Sequence, residues 1–115
     1  MNPTIYHNPR CSKSRAALAL LRERGVEPEV VEYLKDPPDA ATLSALLDML
    51  GLSPRELMRT KEPEYRERQL DDPGLSRDAL IAAMVANPRL IERPILVKDG
   101  RAALGRPPEK LLEIL

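Results

Sequence analysis

Between residues 4 and 34 the chain alternates a short apolar run, a helical stripe and a second apolar run. That alternation limits the fold more than any other feature. Thr4-Ile5-Tyr6-His7 reads as a short strand entering a core. In the loop Asn8-Pro9-Arg10 the proline favours an extended Asn8. A helical pattern then runs from about Ser12 to Arg24. Ala17, Leu18, Leu20 and Leu21 form its apolar stripe, with Arg15, Arg22 and Glu23 on the wet side. Gly25 is suited to close the helix. Glu29 to Leu34, with Val30, Val31 and Tyr33, is a second strand. Strand, helix and strand in this order imply a parallel pair with a right-handed crossover.

Asp36-Pro37-Pro38-Asp39 breaks the pattern. Leu43, Leu46, Leu47 and Leu50 follow at helical spacing and end at Gly51. Ser53-Pro54-Arg55-Glu56 is a capping box with proline at the first helical position. Residues 61–72 are strongly charged and poorly periodic, which predicts a surface segment with partial helix. Ser76 caps a helix through about Ala86, and Asn87-Pro88 stops it. Pro94 to Lys98 is a strand, Asp99-Gly100 a two-residue hairpin turn, and Arg101 to Leu104 the returning strand. A last helix carries Leu111, Leu112, Ile114 and Leu115. The order is β-α-β over 4–34, an all-helical insertion over about 38–90, and β-β-α over 94–115, in a single domain spanning 1–115. This predicts an α/β thioredoxin-like fold, a four-stranded mixed sheet with helices on both faces. In that plan a cis-proline precedes the third strand and faces the active thiol. Pro94 stands at that place, so a cis Arg93–Pro94 bond is expected.

Of the residues, 43% are hydrophobic, but there is no Trp or Phe, so the core is aliphatic. Eighteen basic residues balance eighteen acidic ones, and no global field favours nucleic acid or an anionic membrane. No apolar run approaches the ~18 residues of a membrane span. The start of the sequence lacks a secretory signal pattern, which leads us to expect a cytoplasmic protein with a reduced thiol. One cysteine excludes an internal disulfide and a Cys-rich zinc site. No zinc, nucleotide or flavin signature appears, so no metal and no bound cofactor are expected.

The stretch from His7 to Arg15 holds the only cysteine, the only histidine and three cations within nine positions. It lies where a strand ends and a helix begins. A thiol there sits at the positive end of a helix, with cations around it, and both lower a thiol pKa. Cys11 has the first by position. His7, Arg10, Lys13 and Arg15 could supply the second, and the Ser14 hydroxyl or N–H can point back to the sulfur. The bland alternative is a buried cysteine acting as a small apolar residue; polar neighbours on nearly every side argue against it. Cys11-Ser12-Lys13-Ser14 is not a dithiol motif, so a resolving thiol must come from another molecule. The position where a low-molecular-weight phosphatase loop carries arginine is Ala17, which disfavours that chemistry.

The run Ile5-Tyr6-His7-Asn8-Pro9 with Cys11, Ser14 and Arg15 resembles the glutaredoxin-coupled arsenate reductase family. So do Leu57-Met58-Arg59, Glu92-Arg93-Pro94-Ile95 and Gly105-Arg106-Pro107, over nearly the full chain. The resemblance implies that Cys11 attacks arsenate to form a thiol–arsenate adduct. Glutathione, a co-substrate, then adds; glutaredoxin reduces the mixed species, and arsenite leaves. It also implies that His7 favours the Cys11 thiolate, and that Arg59, Arg93 and Arg106 bind the oxyanion. Guanidinium forks suit a tetrahedral oxyanion, and Arg93 and Arg106 lie at strand ends where such a site belongs.

Members with established reductase action typically carry Ala, Gly and Thr around the cysteine, where this chain has Arg10, Ser12 and Lys13. It resembles an uncharacterised branch of the family. The two extra cations could strengthen anion binding or select a bulkier acidic partner. Two rival readings remain: a monothiol reductase of another substrate, such as a glutathionylated protein, and an Spx-like redox-linked transcription regulator. Those regulators usually sense oxidants through Cys-x-x-Cys, which is missing here.

Overall fold

Strand β1, Thr4–His7, turns Ile5 and His7 to its buried side, as a period of two requires. Helix α1, Ser12–Glu23, buries Ser14, Ala17, Leu18 and Leu21, a stripe at spacings of three and four. The two patterns register with each other. Ile5 packs in one core with Ala17, Leu18 and Leu21, so the earlier member of the helical stripe, Ser14, reaches the later strand residue, His7. Gly25 closes α1 at φ +77°, and the Val26 N–H returns to the Leu21 carbonyl at 2.9 Å. The computed structural model describes residues 3–115.

The chain divides into two compact units, Met1–Asp36 with Arg93–Leu115, and Pro37–Glu92. In the first unit β1 pairs in parallel with β2, Glu29–Glu32, and antiparallel with β3, Ile95–Lys98. β3 pairs antiparallel with β4, Arg101–Leu104, giving the order β2-β1-β3-β4. This is the mixed four-stranded sheet of a thioredoxin-like α/β fold. The Asp99-Gly100 turn has φ +51° and +76°, the left-handed pair that a tight hairpin demands. β2 stops at Glu32 rather than Leu34 because the Glu32 carbonyl takes the N–H groups of Lys35 and Asp36 and starts a turn.

The C-terminal segment Pro108–Ile114 is a 3₁₀ helix, not an α-helix. Its buried residues, Leu111 and Ile114, are three apart, and a period of three aligns them on one side. They share the core of Ile5, Leu96 and α1. Complete burial of an aliphatic side chain such as Leu21 is worth about 1.5–3 kcal/mol.

The second unit is helical. α2, Ala40–Leu50, is capped by the Asp39 side chain, which accepts the Thr42 N–H, and ends at Gly51 with φ +69°. α3, Pro54–Leu57, carries the capping box of Ser53 and Glu56. A short α4, Pro63–Glu67, lies inside the charged segment. α5, Arg77–Ala86, begins at a Ser76 cap and is followed by one 3₁₀ turn, Pro88–Leu90. Leu43, Leu46, Leu47, Leu80, Ile81 and Met84 are buried. Met58 and Ile91 form an isolated antiparallel bridge, and the Glu92 N–H donates to the Leu57 carbonyl. No helix among the described residues is long and apolar enough to cross a membrane.

Candidate functional site

Strand register gathers the site at one end of the sheet. The pair Tyr6–Ile95 sets Arg93-Pro94 beside the chain leaving β1. The pair Ile95–Leu104 brings Gly105-Arg106 to the same end. The Gly105 N–H donates to the Pro94 carbonyl at 2.9 Å. A Cβ on Gly105 would lie 2.8 Å from Pro94 Cγ and 3.1 Å from Leu111 Cγ, so this approach admits only glycine. The Arg93–Pro94 bond is cis, as expected; Arg106–Pro107 is also cis, and no sequence feature marked it.

Cys11 is the N-cap of α1, with its carbonyl accepting the Arg15 N–H at 3.0 Å. The loop before it is held from three sides. Its own N–H donates to the Asn8 carbonyl, the Asn8 side-chain oxygen accepts the Arg10 N–H, and Arg15 Nη1 donates to the Pro9 carbonyl at 2.9 Å. The sequence marked this loop only through Asn8-Pro9. The part Asn8 plays, as a side chain folded onto its own backbone, is a property of Asx turns.

Burial by itself would push the Cys11 thiol up. The Ser14 N–H, the Arg93 guanidinium and the Lys13 N–H outweigh it, and the pKa lies below the ordinary thiol value. No fully aligned capping bond reaches the sulfur. The first-turn N–H groups still face it closely enough to stabilise its negative charge. Cys11 is half-buried, so the sulfur is not hidden in hydrocarbon.

His7 and Ser14 are both buried, and the Ser14 hydroxyl lies 2.7 Å from His7 Nδ1. The same hydroxyl oxygen accepts the Asn8 N–H at 3.0 Å. Burial lowers the His7 pKa; Glu32, its partner across the β1–β2 ladder, opposes this, while Arg22 and Arg15 reinforce it. Burial therefore disfavours the charged form of the ring. His7 thus sits against the side chain of Ser14, the residue whose backbone N–H faces the sulfur.

Arg93 is 8% exposed, and its Nε and Nη1 have no hydrogen-bond partner among the described residues. A buried guanidinium with open donors is costly unless an anion meets it. Arg106 Nε donates to the Arg93 carbonyl at 3.0 Å, so the two arginines are joined through the backbone. Arg59 belongs to the helical unit. There the Met58–Ile91 bridge brings it to Glu92, and it pairs with Glu62 at 2.9 Å and Glu92 at 3.4 Å. Glu62 lies three positions along the chain, but sequence reasoning did not anticipate Glu92, because no local spacing links 59 to 92. Among the described residues, no three His, Cys, Asp or Glu side chains gather as metal ligands would.

This arrangement can stabilise a thiolate and hold a small anion next to it. The ArsC family matches residues 6–114. The chain is 64% identical over 112 residues to YfgD, an uncharacterized protein of Escherichia coli strain K12, covering 96% of this chain and 94% of that one. It is 53% identical over 112 residues to an arsenate reductase of Neisseria meningitidis serogroup B, covering 96% of each. A solved arsenate reductase from Vibrio cholerae superposes with a TM-score of 0.97 at 53% identity, over 100% of this chain and 98% of that one. With 109 of its residues inside the family match, from the end of β1 to the last 3₁₀ helix, the chain belongs to the ArsC family.

Proposed function

We propose that the protein reduces arsenate to arsenite at Cys11, in the cytoplasm, with glutathione and glutaredoxin as the source of electrons. The observation that carries this reading is Arg93. It is a buried guanidinium with two open donors, set against a thiol of lowered pKa.

The Cys11 thiolate attacks arsenic and an arsenate oxygen leaves as water after taking up protons; arsenic stays in its +5 state. Arg93 offers paired N–H groups to the oxygens and offsets the repulsion between two anions. Arg106 holds the Arg93 backbone in place and adds a second positive charge. The α1 N-terminus and Ser14 keep the sulfur ionised and oriented, with His7 fixing the Ser14 hydroxyl. Two external thiols, one from glutathione and one from glutaredoxin, then give up one electron each and depart joined as a disulfide. Arsenic takes both electrons, arsenite leaves, and Cys11 is restored.

The test is a reconstituted assay with arsenate, glutathione and glutaredoxin, comparing the wild type with Cys11→Ser. Arsenite production by the wild type and none by the variant is the expected result. Equal turnover by Cys11→Ser would exclude the mechanism.

A further inference from the structure

From residue 1 to residue 22 the chain contains Arg10, Lys13, Arg15 and Arg22 and no Asp or Glu. Two of these cations are already committed. Arg15 donates to the Pro9 carbonyl, and Arg22 is paired with Glu27 at 3.0 Å. Arg10 and Lys13 are exposed, and their side chains have no hydrogen bond or ion pair among the described residues. They flank Cys11 on both sides of a loop that Asn8 and Arg15 hold fixed. The sulfur takes its stabilisation from Arg93 and two backbone N–H groups, so these two side chains are not needed to ionise it.

A small tetrahedral anion is best held by desolvated donors, and buried Arg93 supplies them. Exposed cations act differently. Water and salt weaken each contact, but they raise the encounter rate and select among larger partners that carry several charges. We infer that Arg10 and Lys13 are specificity residues for the thiol co-substrate, receiving the carboxylates of a small acidic thiol peptide of the glutathione type as its sulfur approaches the arsenic adduct on Cys11. The inference rests on the reading of Cys11 as the reacting thiol. It concerns the second half of the cycle rather than the binding of arsenate.

The experiment is thiol–disulfide exchange, which needs no arsenate. The Cys11 thiolate attacks one sulfur of glutathione disulfide; a mixed disulfide forms and glutathione thiolate leaves. Second-order rates are measured for the full chain and for an Arg10→Ala/Lys13→Ala variant. The probes are glutathione disulfide and the uncharged bis(2-hydroxyethyl) disulfide, each at low and high salt. We expect the variant to lose about five- to tenfold with glutathione disulfide, with the wild-type advantage shrinking at high salt. The rate with the uncharged disulfide should stay within about twofold. An equal loss on both disulfides would mean that the cations act on the thiolate itself, and no loss on either that they play no part; both outcomes overturn the inference. Charge-selective exchange without any arsenite production would sink the arsenate reading and leave the pairing of these cations with the thiol peptide standing. Arsenite production with charge-blind exchange would do the reverse.

Discussion

Ser14 and His7 meet at 2.7 Å between hydroxyl and Nδ1, both of them buried, and the same hydroxyl oxygen takes the Asn8 N–H. One small side chain thus ties the end of β1, the thiol loop and the first turn of α1. The sulfur, in contrast, draws on the Ser14 backbone N–H. Ser14→Ala separates the two functions. It should cost about 1–3 kcal/mol in urea unfolding, because His7 Nδ1 is left without its partner. The thiol, followed by thiolate absorbance, should still titrate below its ordinary value. A return to that value would assign the stabilisation to the hydroxyl.

The pH dependence of stability follows from His7. Burial holds its folded pKa below the unfolded value of about 6.5. The unfolded chain therefore binds this proton more readily, and stability rises with pH in that window. On acidification it should decline from about pH 6.5 down to the folded pKa and level off below. His7→Asn leaves an amide group for Ser14 but cannot titrate. Urea midpoints compared at neutral and mildly acidic pH should show a smaller acid loss in the variant than in the wild type.

Arg93 sets stability against chemistry. Its two unpartnered nitrogens are a cost to the folded state. Arg93→Met keeps a long apolar stem, so it should stabilise the fold by about 1 kcal/mol or more in urea titrations. The same change should raise the thiol pKa and increase the arsenate KM by at least about tenfold. A variant that is less stable and unaltered in thiol titration would show that Arg93 is structural.

Gly105 is a steric test of the same end of the sheet. A methyl group there meets the Pro94 ring and the Leu111 side chain, both buried and neither free to swing aside. Gly105→Ala should cost about 1–3 kcal/mol, the range for overpacking, read as a lowered urea midpoint.

Much of this was legible because it was written locally. α1, the Ser76 cap, the Ser53-Glu56 box and the Asp99-Gly100 turn each depend on residues a few positions apart. Cys11 was legible for the same reason, since a helix start next to a strand end is a local pattern. What was not legible depends on distant partners. Arg59 is governed by Glu62 and Glu92, the second reached only through the Met58–Ile91 bridge. The lowering of the His7 pKa depends on how deeply β1 is covered, which no neighbour in sequence reports. The 3₁₀ form of Pro108–Ile114 follows from alignment of Leu111 and Ile114 with the core, whereas the apolar spacing alone also fits an α-helix.

The chain holds a single cysteine, the half-buried Cys11. Peroxide converts a thiolate to sulfenic acid, and a neighbouring cysteine normally traps that state as a reversible disulfide. Here the trap has to diffuse in. Exposed to oxidant while small thiols are scarce, the protein would drift toward sulfinic acid and permanent inactivation, so its working lifetime is tied to the thiol supply of its surroundings.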